Sequence, residues 1–327
     1  MTRLRRRTIH VLKPGFLTTV QDLGRPRYQR FGMPVAGAMD AFACRAANRL
    51  VGNPDKAAVL EVTIVGPTLL FEQNAVIALT GGQLSPCLDS VPLPMWTSLV
   101  ISAGAHLSFG RQVNGARSYL AVAGGFDVPR VLGSRSTHIR SHTGGFHGRA
   151  LIKDDRLEWG SPPRGAVTRV ERSIPKELRP AYAAHPMLRI ILGPQTDFFE
   201  QEAVAALTTS RYTVSSDSDR MGYRLSGPAL THRRVAEMIS DATPIGSLQV
   251  PPNRQPILLM ADRQTTGGYP KIAVVISADL SVAAQLMPGH TVGFSEVTVA
   301  QAHVLLREHE ALLQEATGRW RNGGVAP

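Results

Sequence analysis

The sequence predicts a mainly β protein with a few helices, built as two tandem domains of barrel or sandwich type. Three observations carry that expectation. Short apolar, often β-branched runs (AVIAL, SLVIS, SYLAVAGG, LRIIL, PILLM, KIAVVIS) recur between turns supplied by 30 glycines and 23 prolines, a spacing typical of antiparallel strands. A length of 327 residues fills two cores at roughly 100 to 200 residues per domain. Residues 161–186, SPPRGAVTRVERSIPKELRPAYAAHP, replace the alternating apolar pattern with proline and charge, as a linker does. The expected division is a first barrel domain over 1–160, a linker over 161–187, and a second barrel domain with a C-terminal helix over 188–327.

The helices are few. In MDAFACRAANRLVGNP, Asp40 can cap the N-terminus, Ala43, Ala47, Leu50 and Val51 form an apolar stripe, and Gly52-Asn53-Pro54 ends the helix. TDFFEQEAVAALTT is expected to start in the same way at Thr196. In TVAQAHVLLREHEALLQEATGRW, helical spacing aligns Ala302, Leu305, Leu306, His309, Leu312, Leu313 and Ala316. Among the strands a faint repeat appears. GPTLLF at Gly66 and GAHLSF at Gly104 have counterparts in GPALTH at Gly227 and GHTVGF at Gly289, as duplication of one β unit would leave.

Composition narrows the function classes. No stretch approaches the roughly 18 apolar residues of a membrane span, and MTRLRRRTIH leads into no signal-type apolar core, so a cytoplasmic protein without membrane contact is expected. Cys44 and Cys87 are too few for a disulfide framework or a cysteine metal site and read as buried apolar groups. The net charge of +11 is mostly arginine, with lysine only at 13, 56, 153, 176 and 271. Those arginines are scattered and aromatics are scarce, which argues against nucleic-acid binding.

Two segments are more polar than a turn requires. Residues 18–40, TTVQDLGRPRYQRFGMPVAGAMD, offer Gln21, Asp22, Arg25 and Gln29; residues 261–272, ADRQTTGGYPKI, offer Asp262, Arg263, Gln264, Thr265, Thr266, Tyr269 and Lys271 around Gly267-Gly268. A planar amide or ureido group shows a carbonyl acceptor beside N–H donors. Its site needs a donor aimed at the oxygen and acceptors aimed at the nitrogens, and paired glycines let backbone N–H groups approach a negative oxygen. The expected catalytic residues are Asp22, Arg25, Asp262 and Arg263. Substrate binding is expected from Gln21, Gln249, Gln264, Thr265, Thr266, Gly267, Gly268, Tyr269 and Lys271. Two barrels facing each other would bring both clusters to one cavity. A plainer reading remains open: Asp and Arg can staple a loop, and Thr-Thr-Gly-Gly can build a bulged hairpin.

Other motifs point to less. His138, His142 and His147 include a His-x-x-x-His spacing, but Gly144-Gly145 argues against the helix such a zinc site needs, and no metal is expected. SSDSDRMGYRLSG, 215–227, reads as a polar turn before a strand. Neither a P-loop nor a Gly-x-Ser-x-Gly elbow is present.

Taken together, PGFLTTVQDLGRPRYQRFGMPVAGAMD, ANRLVGN, LEVTIVGPTLLF, SYLAVAGGFDVPRVLGSRST, SDRMGYRLSG and LLMADRQTTGGYPKIAVVISADLSVAAQLMPG resemble the carboxyltransferase A/B family, also known as allophanate hydrolase subunit 2-like. The resemblance covers most of the chain and implies two tandem cyclophilin-like β-barrels. It further implies the C-type component of an ATP-dependent 5-oxoprolinase that opens 5-oxo-L-proline to glutamate. The implied companions are a homologous chain of the subunit 1 or B type and an A-type hydrolase chain; ATP is used by the complex at a place the resemblance does not give. Other family settings are the carboxyltransferase part of a biotin-dependent urea or amide carboxylase and a non-catalytic, Kip-type regulatory binding protein. The chain departs from the family at turns: VPPNRQP carries Asn253 and Arg254 in place of Asp-Gly, and KDDRL and PGHTV stand where Gly-Asp is usual.

Overall fold

The computed structural model describes residues 7–163 and 171–318. Part of the expected linker, and the Arg319 and Trp320 end of the last expected helix, lie outside them. The chain is mainly β with four α-helices among the described residues. It divides into two compact units, one drawn from 1–25, 40–179 and 312–327, the other from 26–39 and 180–311.

The first unit holds two sheets over one core. The six-stranded sheet runs in the order Arg156–Glu158, Thr8–Lys13, Thr68–Phe71, His106–Phe109, Pro86–Leu88, Val91–Pro92. The five-stranded sheet runs Leu17–Gln21, Val59–Thr63, Asn114–Val122, Ala75–Gln83, Ser98–Ile101. Ile9, Leu69, Phe71 and Leu157 of one sheet share a buried cluster with Val20, Leu60, Ile77, Leu120 and Val122 of the other. Each sheet thus turns one apolar face inward, the arrangement that removes most area from water at about 25 cal/mol per Å². Helix α1, Ala41–Leu50, starts as expected, with the Asp40 carboxylate accepting from Ala43 N at 2.9 Å. Thr80 Oγ1 on the Ala75–Gln83 strand donates to Ala43 O at 2.6 Å, holding the helix to the sheet. Cys44 is buried on this helix, whereas Cys87 is only half-buried.

The second unit closes a seven-stranded barrel in the order Met187–Leu192, Lys271–Val275, Ser247–Gln249, Ile257–Leu259, Gly222–Ser226, Arg211–Val214, Thr291–Glu296. Its pairings are antiparallel except the closure of Met187–Leu192 on Thr291–Glu296, which is parallel. Period-two alternation is plain in Arg211–Val214, where Tyr212 and Val214 are buried and their neighbours exposed. Leu188, Ile190, Tyr212, Leu225, Leu248, Leu258, Val292 and Phe294 share the core. Gly227-Pro228, expected to lead into a strand as Gly66-Pro67 does, ends one instead, and only an isolated bridge from His232 to Phe199 follows.

Helix α2 spans Gln201–Thr209, with Thr196–Phe198 forming a separate 3-10 turn before it; α3 is Leu280–Ala283 and α4 is Val299–Gly318. Along α4, Ala302, Leu313 and Ala316 are buried as the spacing requires, while Leu312 is exposed. No helix of the described residues is long and apolar enough to cross a membrane.

Two of the departures from the family pattern fall on left-handed backbone. Arg254 takes φ 62° and Asp154 φ 69°, a region glycine occupies without the Cβ penalty these residues carry.

Candidate functional site

The polar residues of the 18–40 segment divide between the two units. Gln21, Asp22 and Arg25 lie in the first, all buried. Asp22 Oδ1 accepts from Gly24 N at 2.8 Å, Ser134 Oγ at 2.6 Å and Ser136 Oγ at 2.5 Å, while Oδ2 accepts from Arg135 N at 2.6 Å. Gln21 Nε2 donates to Thr19 Oγ1 at 3.0 Å and Thr137 O at 3.1 Å, and Arg25 Nη2 donates to Ser136 O. These bonds fasten the end of the Leu17–Gln21 strand to residues 134–137. Sequence reasoning misses the serines and the threonine as partners, although they lie in the GSRST stretch of the family motif.

Residues 26–39 belong to the second unit. There Gln29, Pro34 and Val35 line a cavity of about 380 Å³ with Ala242, Thr243, Pro244, Ile245, Arg263, Gln264 and Thr265. Such a volume lies near the small end of the roughly 300 to 1,000 Å³ typical of ligand pockets. Arg263 dominates its electrostatics. The side chain is 8% exposed, Nε donates to Thr243 O at 2.7 Å and Nη1 to Met260 O at 3.3 Å. No carboxylate of the described residues stands within ion-pair distance of it, and burial pushes its pKa down to about 10. At neutral pH it remains a buried cation held, among the described residues, only by carbonyl dipoles, an arrangement that favours a negative or partly negative oxygen as ligand.

A carboxamide pair stands beside it. Gln264 Nε2 donates to Gln249 Oε1 at 3.1 Å, and Gln249 Nε2 donates to Tyr269 O at 3.2 Å. The side-chain oxygen of Gln264 takes no hydrogen bond from the described residues, so it is available to accept one. A Cβ on Gly267 would come within 2.7 Å of Gln249 Nε2 and 3.2 Å of Gln264 Nε2; glycine there lets the loop lie against the pair. Thr266–Gly267 pairs with Asp241–Ala242 as a two-stranded lip, and Thr243 Oγ1 donates to the backbone oxygen of Gln264. Met238 N donates to Gly268 O at 2.9 Å, and Tyr269 is 38% exposed. Lys271, buried in its strand, extends Nζ to Asp241 Oδ2 at 2.9 Å. That hydrogen bond, with the Ala242 N–H and the lysine charge, holds the Asp241 carboxyl below its usual range.

Asp262 is otherwise engaged. Its two oxygens take Arg220 Nε at 2.9 Å and Nη2 at 3.0 Å, both residues being buried. The arginine that pairs with Asp262 is therefore not its neighbour in sequence. Arg220 lies in the SDRMGYRLSG motif, which reads as a turn, and only its place in that motif could flag it. At the histidine motif, His138 Nδ1 lies 2.7 Å from Ser141 Oγ. Among the described residues no three His, Cys, Asp or Glu side chains form a group that could hold a metal.

The chain has known relatives. The profile of the carboxyltransferase domain family, subdomains A and B, matches residues 31–296. The chain belongs to this family. It is 39% identical over 308 residues to the C-type chain of 5-oxoprolinase from Haemophilus influenzae, covering 94% of this chain and 97% of that protein. It is 38% identical over 316 residues to the C-type chain of 5-oxoprolinase from Escherichia coli K12, covering 96% and 99%. Against the urea amidolyase of Saccharomyces cerevisiae it is 32% identical over 95% of this chain but only 18% of that one. The crystal structure of K. lactis urea amidolyase superposes with a TM-score of 0.90 at 31% identity, over 96% of this chain and 20% of that one.

Proposed function

We propose that this chain is the C-type component of an ATP-dependent 5-oxoprolinase, working with a B-type chain and an A-type hydrolase chain in the cytoplasm. The observation that carries this reading is the buried, carboxylate-free Arg263 beside the Gln249–Gln264 pair, in a cavity sized for a small amide. The similarity to two proteins named as this component of 5-oxoprolinase, over nearly their whole length, supports it.

In this reading Arg263 donates to the lactam carbonyl oxygen, and the Gln264 side-chain carbonyl accepts the ring N–H. Thr265 to Tyr269, with Lys271 and Asp241 behind them, form the lip that encloses the ring. Negative charge that grows on the oxygen as water adds to the carbonyl carbon is met by the guanidinium. The C–N bond then breaks, the nitrogen takes a proton, and glutamate leaves. Asp262 orients Arg220 and the loop that starts with Arg263. Asp22 and Arg25 serve the first unit by fixing where the 22–40 segment leaves the strand.

The cavity does not fit a nucleoside triphosphate. Arg263 is the one cationic side chain among its lining residues, whereas nucleotide sites commonly gather several cationic groups on the phosphates. No step within this pocket passes through ATP, and the nucleotide belongs to the assembled complex.

A second reading is supported by the 0.90 TM-score against urea amidolyase: a carboxyltransferase component in which a ureido group, of urea or of biotin, shows the pocket the same carbonyl and N–H pattern. The test is to assemble the chain with its partner chains and measure ATP-dependent glutamate release from 5-oxo-L-proline. Release that collapses in Arg263→Gln while assembly persists is expected. Full activity in that variant overturns the site, and carboxylation of urea in place of glutamate release overturns the first reading in favour of the second.

A further inference from the structure

We infer that Arg220 is a positioning residue that fixes two of the three stretches lining the Arg263 pocket against each other, so that ligand affinity depends on its grip on both. This rests on reading the pocket as the substrate site. One of these two walls is residues 263–265, which directly follow Asp262, and the other is residues 29–35; residues 242–245 complete the lining. Arg220 touches the base of both. Its guanidinium takes both oxygens of Asp262, at 2.9 and 3.0 Å, and Nη2 also donates to Gly37 O at 2.6 Å, two residues beyond Val35. The link is reinforced along the backbone, where Asp262 N donates to Arg220 O at 2.9 Å.

Residues 29–37 need such a link. Apart from the 3-10 turn Gln29–Phe31 they have no regular structure and pair with no strand. Gln29 and Phe31 are exposed, and the segment reaches the barrel core only at Met39. Stability does not explain a buried ion pair here, because an apolar pair of similar volume commonly does as well or better. A guanidinium offers something an apolar pair cannot: a planar fork that satisfies a carboxylate and a third acceptor at fixed angles. Lysine carries the same charge but no fork, which separates geometry from electrostatics.

The test is Arg220→Lys in the full-length chain, read in two ways. Without ligand, hydrogen exchange of the purified chain is expected to quicken about tenfold or more in peptides covering 35–38 and 262–266, with the strands at 247–249 and 271–275 unchanged. With the partner chains, KM for 5-oxo-L-proline is expected to rise about tenfold while kcat moves less than about threefold, since the walls no longer present Arg263 and Gln264 at the right spacing. Unchanged exchange at either wall overturns the inference. So does an unchanged KM in an assembled complex of lowered melting temperature, the signature of a merely structural residue. If the wild-type complex does not turn over 5-oxo-L-proline, the functional reading falls and the exchange arm still decides the grip. Should Arg220→Lys fail to fold, Asp262→Asn, which keeps shape and removes the charge, is judged by the same exchange criterion.

Discussion

The Asp22 cluster and the Arg263 cluster are made of the same residue types and end in opposite electrostatic states. Asp22 is a buried anion that accepts four hydrogen bonds, from two serines and two backbone N–H groups. Its charge is fully spent inside the first unit. Arg263 is a buried cation whose described partners are two carbonyls, and it borders open volume. Asp22 and Arg263 thus separate into scaffold and site by what the chain supplies to each, and a ligand is called for where a buried charge borders open volume and meets no counter-charge.

Replacing each centre breaks the comparison if it is wrong. The largest effect is expected from Arg263→Gln: kcat/KM of the assembled complex falls about 100- to 1,000-fold, the usual loss when a donor to a developing oxyanion is removed. Its melting temperature is expected to stay level or rise, because an uncompensated buried charge disappears. A variant that melts earlier and turns over normally would make Arg263 the scaffold. Asp22→Ala should behave in the opposite sense. Stranding the Ser134 and Ser136 hydroxyls and two N–H groups is expected to cost about 3 kcal/mol of stability, a drop of roughly 6 to 12 °C in Tm for a unit of this size. Scanning calorimetry checks it, and an unshifted transition would end the scaffold assignment.

Much of this contrast is legible in the amino-acid order itself. The polar loop at 262–271, the Asp40 cap and the strand-rich pattern all follow from local rules, namely unneeded polarity, capping chemistry and apolar alternation. The partner choices are not legible. Asp262 pairs with Arg220, 42 positions away, although Arg263 is adjacent, and Asp22 finds Ser134 and Ser136 more than a hundred positions on. Such pairings are set by tertiary packing: Arg220 and Asp262 flank two paired strands, 222–226 and 257–259, whereas Ser134 and Ser136 sit in a loop between strands, and sequence spacing carries little of either. The same cause hides the grouping of 26–39 with the second unit, since contiguous segments give no sign that a short loop joins the far half of the chain. The odd turns, by contrast, can be read as local facts: Arg254 and Asp154 occupy left-handed positions at the motif departures.

A smaller effect sharpens the site half of the comparison. Gly267→Ala places a methyl group 2.7 Å from Gln249 Nε2, which is buried and bonded to Tyr269 O and so has little room to retreat. The carboxamide pair is expected to shift by several tenths of an ångström and kcat/KM to fall about tenfold, with little change in Tm. Steady-state kinetics on the assembled complex decides this, and wild-type kcat/KM would show that the pair does not orient the substrate.

The smallest expected effect is an absence of titration where a histidine or carboxylate site would show one. Burial lowers the pKa of Arg263 from its ordinary value to about 10. Between those values the unfolded chain binds more protons than the folded one, so this residue's contribution to stability rises with pH in that window. In the same alkaline window the pocket loses its charge, and affinity for an oxygen ligand falls. From about pH 6 to 9 the guanidinium is protonated in both states, and affinity through it is expected to stay constant within about twofold. Calorimetric titration of the assembled complex with 5-oxo-L-proline across that range checks the point. A midpoint near pH 7 would transfer the ligand to a different titrating group and erase the distinction between the two clusters.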